Sequence, residues 1–203
     1  MKIICIGRNY ADHAKEMKSE VPKEPVVFMK PDTALLPKRN PFFLPDYSND
    51  VHHELELVVR INRVGKSIEE QFAHRYYDEV SAGIDFTARD IQKECKEKGL
   101  PWERAKAFDG SAPVGNFITL PKGKDIQDLK LSMTKNGEVV QSGSTKDMIF
   151  TVDQLISYVS QFITLKIGDL LFTGTPAGVG PVAIGDTLEC FLEERSLLKV
   201  NVK

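Results

Sequence analysis

Across 203 residues there are only three cysteines, Cys5, Cys95 and Cys190, and they stand far apart. An odd, scattered set excludes a disulfide framework and a zinc knuckle, and it points to a reducing compartment. The formal net charge is −2, with acidic and basic residues mixed along the chain, so no basic face is expected for nucleic acid or an anionic membrane. Long hydrophobic runs are missing as well. The first apolar run, Ile3 to Ile6, is far too short for a signal or membrane segment. These absences predict a soluble, cytoplasmic protein. Several catalytic signatures are also lacking. His53-Glu54 does not open HExxH, because position 57 is Leu. The glycine-rich TGTPAGVGP, Thr173 to Pro181, has neither GxGxxG nor a GK[ST] ending, and no GxSxG occurs. Neither a nucleotide cradle nor a serine triad is therefore expected.

What is present is ordinary globular material, 41% apolar and 28% charged. A chain of this length is most simply one domain over residues 1–203, able to bury roughly 70% of the surface its unfolded form exposes. Strand signals dominate. Lys2 to Ile6, Pro25 to Met29 and Leu55 to Ile61 read as strands, and Asn136-Gly137 between alternating residues marks a hairpin over Leu131 to Gln141. Gly168-Asp169 and Gly185-Asp186 each lead from a turn into an apolar run. Three helices carry start signals: Ser67 with Glu70, running to about Val80; Thr87 with Asp90, ending at Gly99; and Thr151 with Gln154. Six prolines between Lys18 and Pro45 make that stretch loop-rich, with room for a mobile lid. The sum is a β-rich α+β domain, not a βαβ repeat.

The stretch HHELELVV, residues 52 to 59, sets two glutamates on one face of a strand and leucines on the other. One reading is a solvated outer face. The other is a cation site, because two carboxylates so close repel unless a cation lies between them. Asp85, at the end of the apparent strand VSAGIDF, adds a third carboxylate, although a lone Asp before a helix also serves as a cap. Glu54, Glu56 and Asp85 together make a hard oxygen site that suits Mg²⁺ or Mn²⁺ better than zinc.

GRNYADHAKEM (7 to 17), FMKP (28 to 31), HHELELVV, GIDFTARDIQKECKEKGLPW (83 to 102), AKAFDGSAPVG (105 to 115) and LLFTGTPAGVGP stand in order along the chain. Together they resemble the fumarylacetoacetate hydrolase family, and most nearly its short, single-domain branch of acylpyruvate hydrolases and oxaloacetate decarboxylases. Two positions depart from the broader family: Ile84 stands where many members have Asn, and Asn116 follows PVG where others often have Pro. Both weaken an isomerase assignment.

The resemblance implies a mixed β-sandwich roll with a few short peripheral helices, and a homodimer. It places the family's metal ligands on Glu54, Glu56 and Asp85. His13 and Glu16, three apart and so on one face of a helical turn, fall on a catalytic dyad in which the carboxylate supports an imidazole base. Lys106 falls on the lysine that stabilises a developing enolate. Arg89, Gln92 and Thr175 fall on substrate contacts, with Arg89 a fork for a carboxylate. The substrate implied is a small 2-oxo acid. The expected reaction is metal-dependent hydrolysis of a C–C bond in acylpyruvates, possibly with oxaloacetate decarboxylation. The alternatives are isomerisation or decarboxylation of unsaturated 2-oxo-dicarboxylates, and a non-catalytic metal- or ligand-binding protein. His52, His53, His74 and the cysteines carry no assigned role.

Overall fold

The computed structural model describes residues 1–17, 20–120 and 123–203. Among the described residues the chain runs β1 (Ile3–Ile6), α1 (Ala11–Glu16), β2 (Val27–Lys30), β3 (Val51–His53), β4 (Leu55–Ile61), α2 (Glu70–Ala73) and β5 (Tyr77–Ile84). It continues through β6 (Thr87–Ala88), α3 (Arg89–Lys98), α4 (Glu103–Lys106), β7 (Ile118–Thr119), β8 (Lys130–Lys135) and β9 (Glu138–Ser144). The last elements are α5 (Val152–Ser160), β10 (Leu170–Phe172), β11 (Gly180–Pro181), β12 (Thr187–Leu192) and β13 (Arg195–Asn201). The expected β-rich α+β class is what the chain forms.

A six-stranded sheet in the order β2-β1-β10-β4-β5-β7 forms the centre. It is mixed, because β1 and β10 run parallel while the other neighbours are antiparallel. Both of its faces are covered. Alternation along β4 sends Leu57 and Val59 into a large core with Leu131, Met133, Leu188 and Val200 of a four-stranded antiparallel sheet, β13-β12-β8-β9. Val58 goes the other way, into a smaller cluster with Ile3, Cys5 and Phe172. Glu56 shares the Val58 face, so it is buried rather than solvated. The solvated-face reading of HHELELVV is excluded.

The expected turns are where the sequence puts them. Asn136 and Gly137 both take positive φ, 56° and 90°, in the hairpin between β8 and β9, as a primed turn requires. Thr151 and Gln154 form a full capping box at the start of α5, and Gly99 closes α3 at φ 63°.

Two helix expectations are corrected. The helix read from Ser67 to about Val80 is a single turn, α2, and Ser67 itself has φ 50° with no capping role. Tyr77 onwards is instead β5, locked to β4 over Tyr77–Ile84, because sheet pairing and burial on both faces outweigh a local capping pattern. At α3, Ala88 rather than Thr87 is the N-cap. Asp90 accepts from the Ser48 hydroxyl (2.6 Å) and the Asn49 amide (3.0 Å), tying the loop before β3 to the helix.

Candidate active site

Sheet register assembles the three carboxylates. The β4–β5 ladder ends with Leu55 opposite Ile84, and the Asp85 amide carries it one step further by donating to the Glu54 carbonyl at 2.8 Å. Asp85 therefore sits across from Glu54, with Glu56 two residues along the same face. One oxygen from each of Glu54, Glu56 and Asp85 lies within 4.8 Å of the others, and all three residues are buried. Oxygens held at about 2.1 Å around one octahedral ion stand roughly 3 Å apart when adjacent and roughly 4.2 Å when opposite.

Cations of the chain surround this triad. Lys106, presented by α4, donates to Glu54 Oε2 (2.8 Å), Asp85 Oδ2 (2.6 Å) and the Thr87 hydroxyl (2.6 Å). Arg89 donates through Nη2 to Glu54 Oε1 (2.6 Å) and through Nη1 to Gln92 Oε1 (2.8 Å). The guanidinium fork expected to meet a substrate carboxylate thus spends two arms on the protein, while its buried Nε has no hydrogen-bond partner among the described residues. Lys30, at the end of β2, faces Asp85 Oδ1 at 2.8 Å. That contact is an ion pair without hydrogen-bond geometry, and Oδ1 remains without a donor.

The charges respond as buried charges must. Burial alone would raise the Glu54 carboxyl, but Lys106 and Arg89 overcome it and hold the group well below the usual carboxylate range. Glu56 goes the other way, pushed well above that range by burial and then by Asp85 and Glu54. Its one strong compensation is the Gly174 amide, which donates to Oε2 at 2.7 Å. Three buried carboxylates gathered this closely, one of them raised by burial and by the like charge of the others, make a donor set that fits a divalent cation.

His13 and Glu16 project from α1 over the crevice. His13 is buried, and its Nδ1 lies 3.1 Å from Glu16 Oε2. Glu16 in turn accepts from the Gly178 amide (3.1 Å to Oε1) in the TGTPAGVGP loop. His13, Glu54, Arg89, Gln92 and Lys106 line one cavity of about 20 Å³, room for about one water. Of the loop-rich stretch from Lys18 to Pro45, where room for a mobile lid is expected, Lys18 and Ser19 lie outside the described residues.

Thr175 is reached through a residue that sequence reasoning passed over. The Gln141 amide donates to Thr175 Oγ1 (2.9 Å) and the Pro176 carbonyl (3.0 Å), and its Oε1 accepts from the Leu55 amide (2.9 Å). Strand β9 thereby ties the glutamate strand to the TGTP loop. His53 Nδ1, 3.0 Å from the same Oε1, must be the donor in that pair. Lys30 was missed too, although FMKP was a recognised block. Its register partner on β1 is Ile3, so it points to the glutamate face, yet only the sheet pairing reveals this. Arg8 and Lys96 also line the crevice, and as long cations in polar stretches they carried no signal.

A buried cluster of three carboxylates, beside a buried lysine and a carboxylate-backed histidine on a mixed β-sandwich, is a set of groups that could hold a divalent cation. The chain matches the fumarylacetoacetate (FAA) hydrolase C-terminal family over residues 2–203 and belongs to that family. It is 47% identical over 201 residues to the mitochondrial oxaloacetate tautomerase of Mus musculus, covering 99% of this chain and 91% of that one. To an oxaloacetate tautomerase of Escherichia coli K12 it is 45% identical over 197 residues, covering 97% and 90%. A solved structure of fumarylpyruvate hydrolase from Pseudomonas aeruginosa, in complex with Mn²⁺ and pyruvate, superposes with a TM-score of 0.93 at 35% identity, covering 100% of this chain and 89% of that one.

Proposed function

We propose that the protein is a divalent-cation-dependent enzyme that acts on short 2-oxo acids through their enol form, with keto–enol tautomerisation of oxaloacetate as its main reaction. The observation that carries this reading is the convergence of Lys106, His13 and Glu54 on one small crevice, with Glu16 behind His13 and the buried Glu56 and Asp85 beside Glu54. The tautomerases named above are 45–47% identical to this chain, against 35% for the hydrolase. That difference ranks tautomerisation ahead of the hydrolysis expected from the sequence.

Mg²⁺ or Mn²⁺, held by Glu54, Glu56 and Asp85, would supply Lewis acidity to the substrate's oxygens. The chain's own groups do the rest. Tautomerisation moves one proton between C3 and the 2-oxygen. His13, its ring oriented by Glu16, takes the C3 proton, and Lys106 supplies a proton and positive charge where the enol oxygen forms. Arg89 Nε and the Thr175 hydroxyl hold the adjacent carboxylate, with Gln92 keeping Arg89 in place. The small cavity excludes bulk water from the proton transfer.

The test is the decay of the ultraviolet absorbance of enol-oxaloacetate with chelator-stripped protein, before and after adding Mn²⁺ or Mg²⁺. Cation-restored acceleration is expected; decay no faster than buffer with the cation alone would refute the reading. A second reading, hydrolytic C–C cleavage of acylpyruvates to pyruvate and a carboxylic acid, is favoured by one feature. Glu16 backs His13 as it would a base that activates water. Release of acetate and pyruvate from acetylpyruvate by the cation-loaded protein would place this reaction at the same site.

A further inference from the structure

The TGTPAGVGP loop, which carries Thr175, lies against β9, the outer strand of the four-stranded sheet. The approach is close enough that a Cβ added at Gly143 would stand 2.6 Å from Pro176 Cβ. Between β8 and β9 the register shifts after Met133, so that Met133 faces Gln141 while Thr134 faces Val139. A bulge of this kind re-aims a side chain, and Gln141 is the one buried residue of β9 although it is polar. All the hydrogen-bonding capacity of its amide is taken. Oε1 accepts from the Leu55 amide (2.9 Å) and from His53 Nδ1 (3.0 Å), and Nε2 donates to Thr175 Oγ1 (2.9 Å) and the Pro176 carbonyl (3.0 Å). The orientation of the amide is fixed, because a backbone N–H can only donate and a carbonyl can only accept. Thr175 Oγ1 therefore accepts from Gln141, and its own hydrogen points elsewhere. Among the described residues its other contact is the Pro176 carbonyl at 3.4 Å, long for a hydroxyl donor and already served by Gln141.

We infer that Gln141 is a positioning residue: by filling the acceptor side of the Thr175 hydroxyl and occupying the Pro176 carbonyl, it reserves the Thr175 hydrogen for the substrate's carboxylate. The role rests on the 2-oxo acid reading above and adds to it the residue that makes Thr175 a donor. A hydroxyl can donate or accept, but beside a carboxylate only donation is favourable, and it is stronger for the charge. Without the Gln141 amide hydrogens, the Pro176 carbonyl is an open acceptor next door. Thr175 then turns its hydrogen onto it in a local side-chain-to-backbone bond, and the substrate loses a donor. The cation side is supported separately, since the Gly174 amide donates to Glu56 Oε2 at 2.7 Å whichever way the next side chain turns.

The experiment is a double-variant comparison on the Mn²⁺-loaded protein, read by turnover of enol-oxaloacetate and by calorimetric titration with oxalate and with Mn²⁺. Gln141→Glu keeps the acceptor for Leu55 and His53 and removes the donors to Thr175 and Pro176; Gln141→Met removes both, and serves where the acidic variant does not fold. Each of these, and Thr175→Val, is expected to raise KM and weaken oxalate about tenfold or more, as loss of a hydrogen bond to a charged group implies. In all three, kcat and Mn²⁺ affinity should change by less than about threefold. Thr175→Ser, which keeps the hydroxyl, should stay within about threefold of the native KM. Combining a Gln141 variant with Thr175→Val should cost no more than Thr175→Val alone, because Gln141 acts through that hydroxyl. Additive losses would make Gln141 a structural residue and overturn the role. So would a KM within about threefold of native in the Gln141 variants or in Thr175→Val, or a fall in Mn²⁺ affinity as large as the rise in KM. Failure of the native Mn²⁺-loaded protein to bind oxalate would instead sink the 2-oxo acid reading itself, and the role with it.

Discussion

Lys30 shows how much one unassigned side chain does for the site. Its ammonium is fully buried, pairs with Asp85, and donates to the Ser111 hydroxyl (2.8 Å) and to the Lys106 carbonyl. It therefore steadies one member of the buried acidic triad and, through the backbone, the turn that presents Lys106. Removing one member of a buried ion pair typically costs about 3–5 kcal/mol. Lys30→Met is expected to lose stability on that scale in urea titration, and a loss below about 1 kcal/mol would show that the pair is dispensable. His13→Ala is a contrasting case. It removes the proposed proton carrier and leaves Glu54, Glu56 and Asp85 in place, so turnover of enol-oxaloacetate should fall about 10²–10⁴-fold while oxalate binding in the presence of Mn²⁺ holds. An equal drop in oxalate affinity would make His13 a binding residue and not a base.

At the scale of elements, the site depends on two loops being pinned to the central sheet. Gly174 has φ 98°, and an added Cβ would stand 2.6 Å from Asn9 Cβ. Asn9 is not free to yield, because its side chain donates to the carbonyls of Phe150 (3.0 Å) and Thr173 (2.8 Å) and accepts from the Phe150 amide (2.8 Å). Gly174→Ala thus combines a strained backbone with a clash, at a cost of at least about 2 kcal/mol. It also shifts the amide that satisfies Glu56, so Mn²⁺ affinity should fall together with the melting temperature. Unchanged Mn²⁺ binding by calorimetry would show that the Gly174 amide is not needed for the cation site. The same scale explains the failed helix reading at Ser67: capping chemistry is local, whereas the eight-residue β5 is settled by its ladder with β4 and by burial.

For the whole molecule, burial makes several ionisable groups resist charging. The Cys190 thiol, in the core shared by the two larger sheets, is pushed far up by burial, with Glu189 adding to the effect. The sign follows from linkage. In the unfolded chain a thiol loses its proton near pH 8.5, while in the folded protein it keeps it, so the folded state binds more protons and stability declines as pH rises above that point. Each such thiol contributes a slope of up to about 1.4 kcal/mol per pH unit. Comparing the native protein with Cys190→Val in urea titrations between pH 8.5 and 10.5, under reductant, should show a shallower decline in the variant. Parallel slopes would mean that the thiol ionises in the folded state.

The sequence by itself determined the Asn136-Gly137 hairpin and the Thr151 capping box, because each is encoded by residues adjacent or nearly so in the chain, and its strand-dominated pattern determined the class of fold. Alternation placed Glu54 and Glu56 on one face, and motif order along the chain supplied Asp85, His13, Glu16 and Lys106. What only the tertiary structure decided was pairing between distant segments. That pairing sets Asp85 opposite Glu54, turns Lys30 of β2 towards Asp85, and occupies two arms of Arg89 with Glu54 and Gln92. It also brings Arg8 and Lys96 to the wall of the crevice. A lysine or arginine in a polar stretch looks the same whether it is solvated or seated in a site. Its role is fixed by the register of strands and the face of a helix, and those are settled by burial summed over the whole core.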